Sequence, residues 1–208
     1  MSRNKLIYGT HSILEALDAG KEIDKIFIRR GLKTDETQQV ARIARERVIP
    51  MQYVPSEKLD RLTTKNHQGI VAFIAEIEYT SLEQLIPIIY EEGRAPFFVI
   101  LDGITDVRNF GAIARTAECT GVDAIIIPDK GSVSVTGALH RVAVCRVSSI
   151  SHTIRMLQDN GVKVVTASEK ASTTYTEESL QYPCAIVMGS EEVGPSEDTI
   201  RLSDSLIR

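Results

Sequence analysis

Four short apolar runs, FFVIL at 97–101, AIIIP at 124–128, KVVTA at 163–167 and AIVMG at 185–189, carry almost no polar alternation. A strand with one wet face alternates, so runs of this kind are strands buried on both faces, as in a parallel sheet layered between helices. The stretches between them, at about 109–120 and 151–160, and then GPSEDTIRLSD at 194–204, read as helices. The order is a βαβ series, and open sheets of that type keep their ligands in the loops at the carboxyl ends of the strands.

Before Pro96 the pattern changes. THSILEAL reads as a helix capped by Thr10 or Ser12, KIFIR as a strand, DETQQVARIARER as a helix, MQYV as a strand, SEKLDRL as a helix and GIVAFIA as a strand. That alternation makes a small α/β layer domain over residues 1–76. EYTSLEQLIPIIYEEGRAP, a short amphipathic segment followed by Gly93 and Pro96, reads as a connector over 77–95, leaving 96–208 as the second domain. Charge changes at the same place: residues 1–76 hold 13 Lys+Arg against 10 Asp+Glu, or +3, and residues 77–208 hold 11 against 18, or −7, summing to the net −4. Cations gather in IRRGLKT and ARIARERV, which contain Arg29, Arg30, Lys33, Arg42, Arg45 and Arg47. Clustered cations suit a phosphate-bearing partner, and Arg29, Arg30, Lys33 and Arg42 are the expected RNA contacts. The other reading is a solvated helix face, because Arg42, Arg45 and Glu46 also suit pairing three and four residues apart.

Composition narrows the class. A chain of 208 residues that is 43% hydrophobic and 25% charged has the balance of a globular protein. No apolar run approaches the ~20 residues of a spanning helix, and MSRNKLIYGTHS has no signal-peptide pattern, so the cytoplasm is the expected location. Cys119, Cys145 and Cys184 are odd in number and widely spaced; they suggest neither a disulfide framework nor a metal site and are expected to be small buried residues.

Two loops stand out. In VRNFGAIARTAECTG, Asn109 can cap a helix, Gly111 permits a close approach and Gly121 suits the residue after a helix end. Helical spacing puts Ile113, Ala117 and Thr120 toward the sheet and Gly111, Arg115 and Glu118 away from it, where an Arg115–Glu118 surface pair is the simplest reading. In MGSEEVGPS, a buried strand ends at Gly189, Glu191 and Glu192 occupy the turn, and Gly194 precedes Pro195 at a new helix start, so backbone amides face something held at the strand end. Neither loop is GxGxxG, and no phosphate-loop lysine is present, which disfavours a nicotinamide or nucleoside-triphosphate site.

NFGAIARTA followed by VMGSEEVGPS resembles the first and second motifs of the SpoU/TrmH class of SPOUT RNA methyltransferases, and HQGIVAFIA resembles the close of that family's substrate-binding module. The resemblance implies an α/β protein with a SPOUT-type trefoil-knotted parallel-sheet catalytic domain and a small N-terminal α/β RNA-binding domain. It implies transfer of a methyl group from S-adenosylmethionine to a ribose 2′-hydroxyl, with a guanosine of ribosomal RNA as the expected target, no metal, and a homodimer with a shared site. By family position Asn109, Arg115 and Glu191 are the catalytic set. Met188, Gly189, Ser190, Gly194, Thr166 and Ala167 are expected at the cofactor. Arg115 would stabilise the developing alkoxide, since arginine ordinarily stays protonated. Alternatives are a transfer-RNA ribose methyltransferase and a non-catalytic RNA-binding or ribosome-assembly protein on the same fold. The sequence departs from the family twice. The third motif, an IPM-like strand and an SLNVS-like helix start, would follow SDSLIR, where the sequence stops; and KGSVSVTGALHRVAV is short between Val135 and Thr136–Gly137. Missing segments are expected in both places.

Overall fold

A computed structural model of the chain describes residues 6–75, 77–130, 142–181 and 183–208, which divide into two compact units on either side of the 78–79 bond. The stretch expected to be short, at Val135–Gly137, lies outside the described residues.

The first unit runs β1 (Leu6–Tyr8), α1 (Thr10–Asp18), β2 (Ile23–Arg29), α2 (Asp35–Glu46), β3 (Met51–Val54), α3 (Ser56–Leu62) and β4 (Ile70–Ile74). Its sheet has the order β1-β4-β2-β3, with β2 and β3 parallel and β4 antiparallel to both its neighbours. Alternation along β2 sends Ile26 and Ile28 into one core with Ile13, Leu17, Val40 and Ala44, and Phe27 into another with Val54, Leu59 and Val71. Helix α1 is not capped by Thr10 or Ser12. The chain turns out of β1 at Gly9 with φ +84°, and the Thr10 N–H donates instead to Gln68 Oε1 at 3.4 Å. Helix α2 has a reciprocal cap, the Thr37 N–H donating to Thr34 Oγ1 and the Thr34 N–H to Thr37 Oγ1.

The second unit runs α4 (Leu82–Glu91), β5 (Phe97–Asp102), α5 (Val107–Thr120), β6 (Ala124–Pro128), β7 (Ala143–Val147), α6 (Ile150–Asp159), β8 (Lys163–Ala167), β9 (Cys184–Gly189), α7 (Glu197–Leu202) and β10 (Ser205–Ile207). All six strands are parallel, in the order β10-β8-β9-β5-β6-β7. The four apolar runs are its four inner strands. Edge strands β7 and β10 lay outside the sequence reading, because Arg146 interrupts the first and the second has only three residues. The stretch read as a connector over 77–95 corrects differently. Within it α4 buries Leu82, Ile86 and Ile89 in the same core as Phe98, Ile100 and Ile126, so helical spacing of apolar residues outweighs the turn signals at its end. Cys145 and Cys184 are buried as expected, whereas Cys119 is exposed on α5, off the stripe that meets the sheet.

Candidate active site

Strands β5 and β9 lie side by side, with Asp102 opposite Gly189 at their carboxyl ends. From β5 the chain fills the sheet outward through β6 and β7, and β8, β9 and β10 lie on the other side. Loops leaving β5 and β9 therefore part in opposite directions and leave a crevice at the point of reversal. A cleft of about 560 Å³ opens there, lined by Ile104, Asp106, Asn109, Ile113 and residues 188–193.

Helix α5 enters this cleft, and its cap decides what Asn109 can do. Asp106 is the capping residue: its carboxylate accepts the Arg108 N–H at 2.7 Å and pairs with the Arg108 guanidinium at 2.9 Å. Those bonds, the guanidinium first, hold the Asp106 carboxyl below the usual carboxylate range. Asn109, read from sequence as a possible cap, is instead in the first helical turn, and its amide Nδ2 donates to Glu191 Oε1 at 3.0 Å. The sheet-facing stripe is Phe110, Ala114 and Ala117, one step round from the expected Ile113, Ala117 and Thr120, and Ile113 turns to the cleft. Arg115 is exposed, with no hydrogen-bond or ion-pair partner among the described residues. Its guanidinium lies back over Gly111, where a Cβ would come within 3.7 Å of Nη1. Asn109 and Glu191 meet in the cleft; Arg115 of the same chain does not line it.

The second loop folds back on itself. Ser190 bridges Gly194, whose N–H returns to the Ser190 carbonyl at 2.8 Å with φ +74° at Gly194. A Cβ on Gly189 would lie 2.0 Å from the Pro195 nitrogen, so only glycine lets the returning backbone pass. Asp102 fixes the return, its Oδ2 accepting the Ser196 N–H and the Thr199 hydroxyl, each at 2.8 Å. Beyond the turn a second cavity of about 400 Å³ is lined by Ala167, Lys170, Ile200, Ile207, Arg208 and residues 188–195. Met188, Gly189, Ser190, Gly194 and Ala167 are gathered there. Thr166 is not: it is fully buried, and its hydroxyl bonds the Ser203 hydroxyl at 2.6 Å. Alternation along β8 explains the difference, since neighbours on a strand face opposite ways. Asp102 and Asp106 escaped the sequence reading although LDGITD, a strand followed by two spaced carboxylates, marks them.

In the first unit Arg29, Arg30, Lys33 and Arg42 are all exposed. Arg30 and Lys33 line a groove of about 540 Å³ together with Arg45 and Tyr53; Arg29 and Arg42 lie outside it. Arg47 is committed to structure, donating to the Leu17 carbonyl at 2.8 Å. Among the described residues no helix is long and apolar enough to cross a membrane, and no His, Cys, Asp or Glu cluster could hold a metal.

Comparison with known proteins agrees with this geometry. Residues 6–80 match a family model for RNA 2′-O ribose methyltransferase substrate binding, and residues 96–208 match that of the SpoU rRNA methylase family. A protein of Staphylococcus haemolyticus described as a TrmH family tRNA/rRNA methyltransferase is 37% identical over 199 residues, 92% of this chain and 80% of its own length. A Staphylococcus aureus protein of the same description is 38% identical over the same shares. Among solved structures, the AdoMet-bound rRNA methyltransferase of Sinorhizobium meliloti is 25% identical with a TM-score of 0.53, covering 98% of this chain and 77% of that one. An AdoMet complex of a SpoU methyltransferase from Streptomyces viridochromogenes shares the fold, at 21% identity and a TM-score of 0.52 over 98% of this chain and 80% of its own. This chain belongs to the SpoU/TrmH family of RNA methyltransferases, a substrate-binding domain preceding a SpoU methylase domain.

Proposed function

We propose that this protein methylates the ribose 2′-hydroxyl of a guanosine in ribosomal RNA, using S-adenosylmethionine, as a cytoplasmic homodimer. The observation that carries the reading is the 3.0 Å bond between Asn109 and Glu191, which joins the two motifs at the wall shared by two cavities. One cavity suits the methyl donor and the other the acceptor. The residues of the smaller cavity fit S-adenosylmethionine: Ile200 and Ile207 offer apolar surface for adenine, strand-end backbone at Ala167 and 188–190 offers polar groups, and Lys170, Arg208 and Glu169 complement the charged amino-acid end. When bound, that cofactor supplies a methyl group activated by its sulfonium.

The chain must then align the ribose and stabilise charge on its oxygen as the hydroxyl proton leaves. Arg115 is assigned that stabilisation and the grip on a neighbouring phosphate, with Asn109 and Glu191 orienting the nucleotide. Arg115 does not line the cleft of its own chain, which supports a shared site served by Arg115 of the partner subunit. Exposed Val107, Met188 and Val193 beside the cleft give that association an apolar rim. Guanine presents N1–H and N2–H₂ donors, which the Glu192 carboxylate in the same lining can accept. Arg29, Arg30, Lys33 and Arg42 are assigned to RNA phosphates. The test is methyl incorporation from labelled S-adenosylmethionine into purified ribosomal or transfer RNA. Label in ribosomal RNA supports the reading, label in transfer RNA alone moves the substrate, and label in neither despite cofactor binding returns the chain to the non-catalytic alternative.

A further inference from the structure

Resting on the reading that this chain acts on RNA, we propose that the groove between α2 and edge strand β3 holds one unpaired RNA nucleotide. The base stacks on the Tyr53 ring, and Arg30, Lys33 and Arg45 meet the flanking phosphates. On β3, Met51 and Tyr53 share the face that α2 covers, and Met51 packs against the core there. Two residues on, the helix presents small Ala41 and polar Thr37 and Gln38, and the cover runs out. Tyr53 is left 50% exposed on the wall of a groove of about 540 Å³.

Charge then selects the occupant. Three cations and no carboxylate line the groove, although Asp35 and Glu36 begin the adjacent helix. Arg30 is tethered to the strand, its Nε–H donating to the Tyr53 main-chain carbonyl at 3.4 Å. An exposed aromatic side chain in a groove lined by cations is the combination that binds single-stranded nucleic acid, the ring taking a base and the cations its backbone. The bases of a duplex are already stacked on each other and leave no face for Tyr53, so the nucleotide bound here is unpaired. Gln38, in the same lining, offers an amide donor and acceptor to the edge of the base.

The test uses the full chain and a fluorescein-labelled mixed-sequence oligoribonucleotide, single-stranded or annealed to its complement, read by anisotropy across a salt series. Tyr53→Ala should weaken single-strand binding by about 5- to 150-fold, the range of base–aromatic stacking, without changing the salt slope, and Tyr53→Phe should bind as the parent does. Arg30→Gln, Lys33→Gln and Arg45→Gln should instead flatten the slope by about 0.7 for each phosphate that is no longer neutralised. Tyr53→Ala binding like the parent, or losing single-strand and duplex affinity equally, overturns the stacked nucleotide. If the charge variants lose affinity while Tyr53→Ala does not, the stacked nucleotide falls and the RNA reading stands. No RNA binding by the parent chain removes both.

Discussion

Arg115 projects from α5 on the side away from Phe110, Ala114 and Ala117, with its guanidinium resting over Gly111. Removing it takes nothing from the core. Arg115→Ala should therefore fold and bind S-adenosylmethionine as the parent does, yet lose methyl transfer by about 10²-fold or more, the scale of a positioned electrostatic group. Single-turnover methylation at the parental rate would remove Arg115 from the chemistry. Other residues were less legible. Asn109 reads locally as a cap, and only the structure, which gives that duty to Asp106, shows its amide reaching a carboxylate 82 positions away. Thr166 and Ala167 read as one unit, but adjacent strand residues face opposite sides, so one is buried against Ser203 and the other lines a cavity. Arg29 ends β2 and Arg30 begins the turn after it, and of the two only Arg30 shares the groove with Tyr53.

At the level of elements, the cap of α5 governs where Asn109 stands. Asp106→Ala should lower the thermal midpoint by about 2–4 °C, the effect of losing one helix cap in a chain of this size. Because the Asp106 carboxyl is held below its ordinary value in the folded state, its contribution is present at neutral pH and lost as pH falls through the folded value. The gap between parent and variant should be full above about pH 5 and narrow as pH falls below the ordinary aspartate value, as scanning calorimetry across a pH series would show. A gap that persisted at low pH would mean that packing, not the ionised cap, holds the helix start. Elements were legible wherever burial wrote its pattern plainly: β5, β6, β8 and β9 are covered on both faces and read as unbroken apolar runs. Helix α4 was obscured because Gly93 and Pro96 signal a connector, although Leu82, Ile86 and Ile89 already stood at helical spacing. The joining of β5 to β9 belongs to topology, which no local pattern records.

For the whole molecule, Arg115 does not line the cleft that holds Asn109 and Glu191 in its own chain, so under the proposed shared site activity would depend on association. Mixing Arg115→Ala subunits with Glu191→Ala subunits should restore part of the activity, because a heterodimer assembles one site free of both substitutions. A mixture as inactive as its parents after confirmed subunit exchange would place both residues in one chain. The proposed site directs a methyl group to a ribose oxygen at the strand ends of the second unit. Blocking a 2′-hydroxyl protects the adjacent phosphodiester from alkali, whereas methylation of a base does not. The direct measurement is alkaline hydrolysis of RNA labelled by this protein from methyl-labelled S-adenosylmethionine, with Arg115→Ala as control. Label recovered in alkali-resistant dinucleotides, and at least 10²-fold less of it from the variant, is the expected result. Label recovered in mononucleotides carrying a methylated base would contradict the account.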